Sequence, residues 1–295
     1  MLEQIEILIH TPAGSGPESM ARALIEAGTA AGVDTSGWRT ELCTADHGVA
    51  AMRRLIERSG DDRIVATCTP SFVQTPLLEG LGISFRDLTP LACLMLEPYL
   101  IVLRSADAVS TPKAFLSWLG EHPSTTGGYL HGGINHMAGI ALAEATGGEV
   151  AFLKVETARD VLPALLDGRI DWAVATPTEA SAALREGTIK AVAILSADRS
   201  ATFPGVPALA EAGVPLALSV WRGLMAPPGL TPQAMDAWRA FLSSAVETPR
   251  WAELLGPDVT PTLLFGGDFE ALLEQQDAWY AHQFTRAGLL RPSNA

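Results

Sequence analysis

A chain of 295 residues that is 48% hydrophobic is long enough for two α/β lobes and far too apolar to be disordered. Its net charge of -13 and pI near 4.8 exclude nucleic acid and anionic membrane surfaces as partners, because no basic stripe exists and Lys113, Lys154 and Lys190 are the only lysines. Cys43, Cys68 and Cys93 form an odd set with no C-x-x-C pair, which indicates small core residues; no metal and no cofactor is expected.

Ile5, Ile7 and Ile9 alternate as a strand does, whereas Met20, Leu24 and Ala27 recur at helical spacing. The period switches in the loop Thr11-Pro12-Ala13-Gly14-Ser15-Gly16-Pro17-Glu18, with His10 at the strand's end. Ser15 with Glu18 reads as a capping box and Pro17 suits the first helical turn. The helix then points free N–H groups and the positive end of its dipole above the strand, which suits a carboxylate or phosphate. Thr11, Ala13, Gly14, Ser15 and Gly16 are the candidate ligand residues there. A dinucleotide fits less well, since the third glycine of G-x-G-x-x-G is absent and Asp34 falls in a turn.

Trp38 to Cys43 reads as a second strand, and Val49, Met52, Leu55 and Ile56 as the buried stripe of a helix. The short strand Ile64-Val65-Ala66 leaves through Thr67, Cys68, Thr69, Pro70 and Ser71, a hydroxyl-rich exit that makes Thr67, Thr69 and Ser71 a second candidate wall. Leu91–Leu96 and Tyr99–Leu103 read as apolar strands, and a helix opens at Thr111-Pro112. Thr125 to Leu130 then leads into His131-Gly132-Gly133-Ile134-Asn135-His136 and a helix, repeating the design of the opening stretch. Candidates here are His131, Gly132, Gly133, Asn135 and His136.

Phe152–Val155, a helix over Thr157–Asp167 and Ile170–Val174 form a further unit, followed by Thr176-Pro177-Thr178-Glu179 as another capping box that adds Thr176 and Thr178 to the candidates. A strand at Ile189–Ile194, a long apolar strand at Leu216–Met225, a helix capped by Thr231 and a terminal helix over Asp268–Leu289 complete the pattern. G-x-S-x-G, G-x-x-x-x-G-K and H-E-x-x-H are all absent, so a binding protein is expected rather than an enzyme. The enzymatic alternative would use His131 or His136 with Glu156 or Glu179 as acid and base. No run reaches transmembrane length.

Three segments carry a family resemblance. Gly205-Val206-Pro207-Ala208-Leu209-Ala210-Glu211-Ala212-Gly213 resembles "DVPTxAEAG" of the tripartite tricarboxylate transporter substrate-binding proteins, the TctC or Bug-type receptors. Trp221-Arg222-Gly223-Leu224-Met225-Ala226-Pro227-Pro228-Gly229 is similar to their "W-x-G-x-x-A-P-x-G", and Leu165-Leu166-Asp167-Gly168-Arg169-Ile170-Asp171 to their "LLxGxxD". The resemblance implies an α/β type II periplasmic-binding-protein fold with two lobes joined by two crossing strands and a ligand cleft between them. Lobe 1 would comprise 1–100 and 225–295, and lobe 2 would comprise 101–224, hinged at Tyr99–Arg104 and Ser219–Leu224.

It also implies a monomer that captures a small organic carboxylate through amides of residues 12–18 and 132–136 and hands it to membrane transport subunits. A ligand-sensing adaptor for a signalling receptor is the alternative role. The implied location is the periplasm; the residues alone leave open a cytosolic protein or an export signal left out ahead of Met1-Leu2-Glu3, which fits a replaced start.

The chain departs from the family at several places. Its "P-P-G-G-x-x-D" loop here has Ala13, Ser15 and Glu18, and "PGAGG" becomes Thr44-Ala45-Asp46-His47-Gly48. "Y-x-P-F/Y-x-G" becomes Leu153-Lys154-Val155-Glu156-Thr157-Ala158. Glu156 is therefore a candidate that brings negative charge to the site and favours a ligand with a hydroxyl, amide or amino group opposite its carboxylate.

Overall fold

The computed structural model describes residues 2, 4–200, 203–255 and 259–290. Met1, Glu3 and the last five residues, which the expected first lobe includes, lie outside them. The chain forms two compact units, one running to Leu96 and resuming at Trp221, the other from Glu97 to Val220.

The first unit is built on β1 (Glu6–Ile9), buried along its whole length and paired in parallel with β2 (Arg39–Leu42) and β3 (Ile64–Cys68). Each strand leads toward a helix: α1 (Gly16–Ala30), α2 (Val49–Glu57) and α3 (Ser71–Glu79). Three parallel βα units necessarily place their three exit loops on one sheet edge, the edge where open α/β sheets receive ligands. Strands β4 (Thr89–Pro98), β10 (Ser219–Ala226) and β11 (Thr260–Phe265) complete the order β11-β4-β10-β3-β1-β2.

The predicted stripe Met20, Leu24 and Ala27 of α1 is buried in one cluster with Trp238, Phe241 and Leu242 of α8 (Pro232–Val246) and with Trp251 of α9 (Pro249–Leu255). Trp38 closes this core, its ring 4.8 Å from that of Phe241 and 5.8 Å from that of Trp238. Helix α10 (Gly267–Arg286) packs on α3 and β11. Neither α9 nor β11 was evident in the sequence, because both are short and lack alternating or helical periodicity.

In the second unit, β5 (Leu100–Arg104) pairs antiparallel with β8 (Ala173–Ala175) and β9 (Ile189–Ile194), and β6 (Ser124–Gly128) pairs in parallel with β7 (Val150–Lys154). The stretch read as the first hinge is therefore β5, an internal strand of this unit. Helices α4 (Pro112–Glu121), α5 (Ile134–Thr146), α6 (Val161–Leu166) and α7 (Pro177–Arg185) surround these strands. Helix α6 is shorter than the periodicity predicts: the Asp160 carboxylate accepts from the Thr157 amide at 2.8 Å and hydroxyl at 2.7 Å, holding 158–160 in a tighter turn.

Candidate ligand-binding site

The loop between β1 and α1 is shaped by Gly14, whose φ of 77° is left-handed, and by Ser15, the extended N-cap residue. The expected Ser15–Glu18 capping box does not form. Ser15 instead shares a 2.6 Å hydroxyl pair with Thr11, and Glu18 reaches back to accept from the Gly14 amide at 2.6 Å. That bond, reinforced by Arg22, holds the Glu18 carboxyl below the usual carboxylate range. With no side-chain cap, the Gly16 and Glu18 amides have no hydrogen-bond acceptor among the described residues.

Beside this loop, β3 ends in a hydroxyl chain centred on His10. The imidazole is 2% exposed, with Nδ1 2.9 Å from Thr67 Oγ1 and Nε2 3.0 Å from Thr69 Oγ1, and Thr69 Oγ1 lies 3.1 Å from Ser71 Oγ. Phe72 meets the ring edge-on at 5.1 Å, and burial pushes the His10 pKa down to about 4. Arg222 of β10 adds a cation: a Cβ built on Gly16 would lie 2.7 Å from its guanidinium carbon. The guanidinium thus rests on the bare face of Gly16. Sequence reading passed over Arg222 as the variable residue of a motif, although a lone arginine within an apolar strand was a visible signal.

The β2 exit forms the third loop of this edge. Asp46 and His47 both adopt left-handed backbone (φ 54° and 52°), followed by Gly48 at 106°. That conformation is unfavourable for non-glycine residues, which accounts for the glycine that the family's version of the turn has at the position of His47.

The second unit repeats the design of the first loop. Gly132 is left-handed at φ 79°, Gly133 is the extended N-cap without a side chain, and α5 begins at Ile134. As Glu18 does for Gly14, a residue four positions on accepts from the left-handed glycine: Gly132 N–H donates to His136 Nδ1 at 3.0 Å. That bond needs an unprotonated Nδ1, consistent with a His136 pKa lowered by burial and by the neighbouring His131. Both rings pack on Phe152, at 5.1 Å from His131 and 4.4 Å from His136. The amides of Ile134, Asn135 and His136 have no acceptor among the described residues, so α5 presents three oriented donors.

This paired loop design accompanies a family match. The model for the tripartite tricarboxylate transporter family receptor, TctC, matches residues 43–266. The chain belongs to this receptor family. Among curated proteins, BugT of Bordetella pertussis is 32% identical over 115 residues, 38% of this chain and 33% of BugT. A UPF0065 protein from the tcbD-tcbE intergenic region of Pseudomonas sp. is 24% identical over 58% of this chain and 52% of that protein. The chain thus aligns with only about a third to a half of these relatives' length.

Solved structures agree on the fold. A TctC solute-binding protein from Polaromonas superposes with TM-score 0.84 at 23% identity, covering 96% of this chain and 98% of that one. MatC from Rhodopseudomonas palustris, with bound malate, gives 0.72 at 20% identity over 95% and 98% of the two chains. An R. palustris protein with adipate gives 0.79 at 19% over 97% of each.

Within the candidate site, several expected contacts are reassigned. Thr67 is fully buried and its hydroxyl is engaged by His10 and the Leu8 carbonyl, so it cannot reach a ligand. Thr176 closes the predicted capping box of α7, accepting from the Glu179 amide at 3.1 Å while the Glu179 carboxylate accepts from Thr176 N–H at 2.9 Å. Thr178 donates to the buried Glu97 carboxylate. The amides of Gly14, Gly132 and Gly133 are bonded inside their own loops, the last to Leu130 O at 3.1 Å, so these glycines shape the loops rather than donate to a ligand. Gly133 makes room for Leu130 rather than for a ligand, since a Cβ on Gly133 would lie 3.0 Å from the Leu130 carbonyl oxygen.

Asn135 anchors α5 by donating to Val174 O at 2.6 Å from its side chain, which leaves its backbone N–H for a ligand. Thr11, Ser15, Gly16, Thr69 and Ser71 gather on one sheet edge, with Ala13 exposed in the turn. His131 is exposed beside His136, and Glu156 stands exposed beyond β7 without a hydrogen-bond or ion-pair partner among the described residues. Among the described residues neither histidine shows a hydrogen bond to a carboxylate; His136 Nδ1 accepts from Gly132 and its ring meets that of His131 edge-on.

The family motifs are structural. Gly223 lets β10 approach Ala92, whose carbonyl oxygen would lie 2.3 Å from a Cβ. Asp171 accepts from the Thr125 amide at 2.7 Å, and Glu211 forms a two-pronged pair with Arg199, both bonds 2.7 Å.

Proposed function

We propose that this protein is an extracytoplasmic solute-binding receptor that captures a small organic carboxylate and delivers it to the membrane subunits of a tripartite tricarboxylate-type transporter. The observation that carries this reading is the uncapped start of α5. Three backbone donors converge at the positive end of a 13-residue helix whose N-cap has no side chain to satisfy them. A carboxylate supplies the missing acceptors without any basic side chain, which is how a protein of net charge -13 can bind an anion.

The Gly16 and Glu18 amides, with the Arg222 guanidinium beside them, are the corresponding donors of the first unit. Malate in MatC and adipate in the second R. palustris protein support an aliphatic acid as the ligand class. We place the receptor in the periplasm as a monomer, acting without catalysis.

Titration calorimetry with a panel of mono- and dicarboxylates tests the reading. Saturable binding of at least one acid is expected, weakened by both Gly16→Val and Asn135→Pro, which removes one of the three donors. Folded protein that binds no acid in the panel refutes it.

A further inference from the structure

The hydroxyl chain around His10 has a direction that donor and acceptor counting determines. Thr67 has one hydroxyl hydrogen, and the Leu8 carbonyl 3.3 Å away can only accept, so the hydrogen goes there. Thr67 Oγ1 therefore accepts on its other side, from the His10 amide at 3.4 Å and from the ring at 2.9 Å, which puts the ring hydrogen on Nδ1. In a neutral imidazole Nε2 is then bare and must accept, so Thr69 turns its hydroxyl hydrogen toward Nε2 at 3.0 Å. Thr69 has no second hydrogen, and the 3.1 Å contact with Ser71 forms only if Ser71 donates. The last member of the chain, half-buried at the start of α3, is left with lone pairs and no hydrogen to offer.

We propose that His10 is a positioning residue that fixes Ser71 Oγ as an acceptor, and that the receptor accordingly selects acids bearing a hydroxyl, amino or amide hydrogen over their unsubstituted counterparts. This rests on the carboxylate-receptor reading above. A carboxylate oxygen placed at Ser71 would set lone pair against lone pair, whereas a ligand O–H or N–H completes the chain. The tautomer is enforced from the protein interior, by a backbone carbonyl that cannot change role. Ser71 therefore cannot reverse to suit a different ligand without breaking a buried bond.

Two measurements test this. Nitrogen-15 NMR of the ligand-free protein should show His10 protonated at Nδ1 and bare at Nε2; the opposite tautomer overturns the proposal whatever the protein binds. Calorimetry on matched pairs, succinate with malate and propionate with lactate, should show the hydroxylated member about five- to tenfold tighter, one net hydrogen bond. Thr69→Val should bring each pair to within about twofold and Thr69→Ser should restore the preference, while Ser71→Ala should abolish it. Equal or tighter binding of the unsubstituted acids by the wild type overturns the inference and leaves the receptor reading standing. Absence of binding to every acid removes the receptor reading, and the ligand selectivity with it, even if the tautomer is as expected.

Discussion

His10 should make folding stability depend on pH in a window where few other groups act. In the unfolded chain the imidazole takes up a proton near pH 6.5, but in the fold burial holds its pKa down to about 4. The unfolded state therefore binds more protons between those values, and stability falls as pH drops through them. The full difference of about 2.5 units corresponds to about 3 kcal/mol, of which about 2 kcal/mol is lost between about pH 7 and about pH 5. Urea denaturation at both pH values, on the wild type and on His10→Gln, isolates the effect. The variant cannot titrate at this site, so the wild type should lose about 2 kcal/mol more than the variant over that interval. Equal losses in the two proteins would show that His10 is not buried neutral and would refute the reasoning.

Other substitutions separate folding from binding. Gly16→Ala pushes against the flexible end of Arg222 rather than against backbone, so it should change unfolding free energy by less than about 1 kcal/mol while weakening acid binding, read by denaturation and calorimetry in parallel. Gly223→Ala meets the rigid Ala92 carbonyl and should cost about 3 kcal/mol or prevent folding, seen as a lowered denaturation midpoint. Arg54 binds the buried Glu6 carboxylate at 2.6 Å and also pairs with Glu41, while Arg39 keeps the other Glu6 oxygen at 3.1 Å, so Arg54→Ala should destabilise by about 1 to 2 kcal/mol; Glu6→Gln in that background should recover part of the loss.

The elements most legible in the sequence were those whose pattern is local. Period-two isoleucines marked β1, the Met20, Leu24 and Ala27 stripe marked α1, and Thr-Pro pairs marked the starts of α4, α7 and α8, each confirmed by a threonine hydroxyl on a first-turn amide. The two glycine loops were visible for the same reason. What their hydrogen bonds do was not, because Glu18 and His136 act at four residues' remove through side-chain geometry that spacing does not encode. His10 is the clearest case: its partners Thr67 and Thr69 lie more than fifty positions away and meet it only because β1 and β3 are neighbours.

Apart from Arg222, the residues of the family motifs and the residues proposed to face a ligand are different sets, and physics accounts for the division. Gly223, Asp171 and Glu211 satisfy demands that any receptor of this fold has: a close strand approach, a buried amide and a turn. Gly223 is closed in by backbone and Asp171 is half-buried, which leaves little freedom for substitution there, while Glu211 holds its turn from the surface. The loop residues answer to the proposed ligand instead, and there this chain departs from the family pattern at Ala13, Ser15, Glu18 and over 44–47. The turn at Asp46 and His47 shows the cost, since two non-glycine residues are held left-handed, His47 at a position where the family has glycine. Such strain persists only where surrounding structure enforces it; here a Cβ built on Gly48 would lie 3.0 Å from the Phe72 ring and 3.5 Å from that of His10, so the turn sits close against both. The β2 exit is thereby coupled to the same imidazole that orients Ser71. Replacing Asp46 and His47 by glycine should relieve the strain and raise stability. It should also loosen the wall against His10 and reduce discrimination between hydroxylated and unsubstituted acids, a trade that calorimetry on the malate and succinate pair would expose.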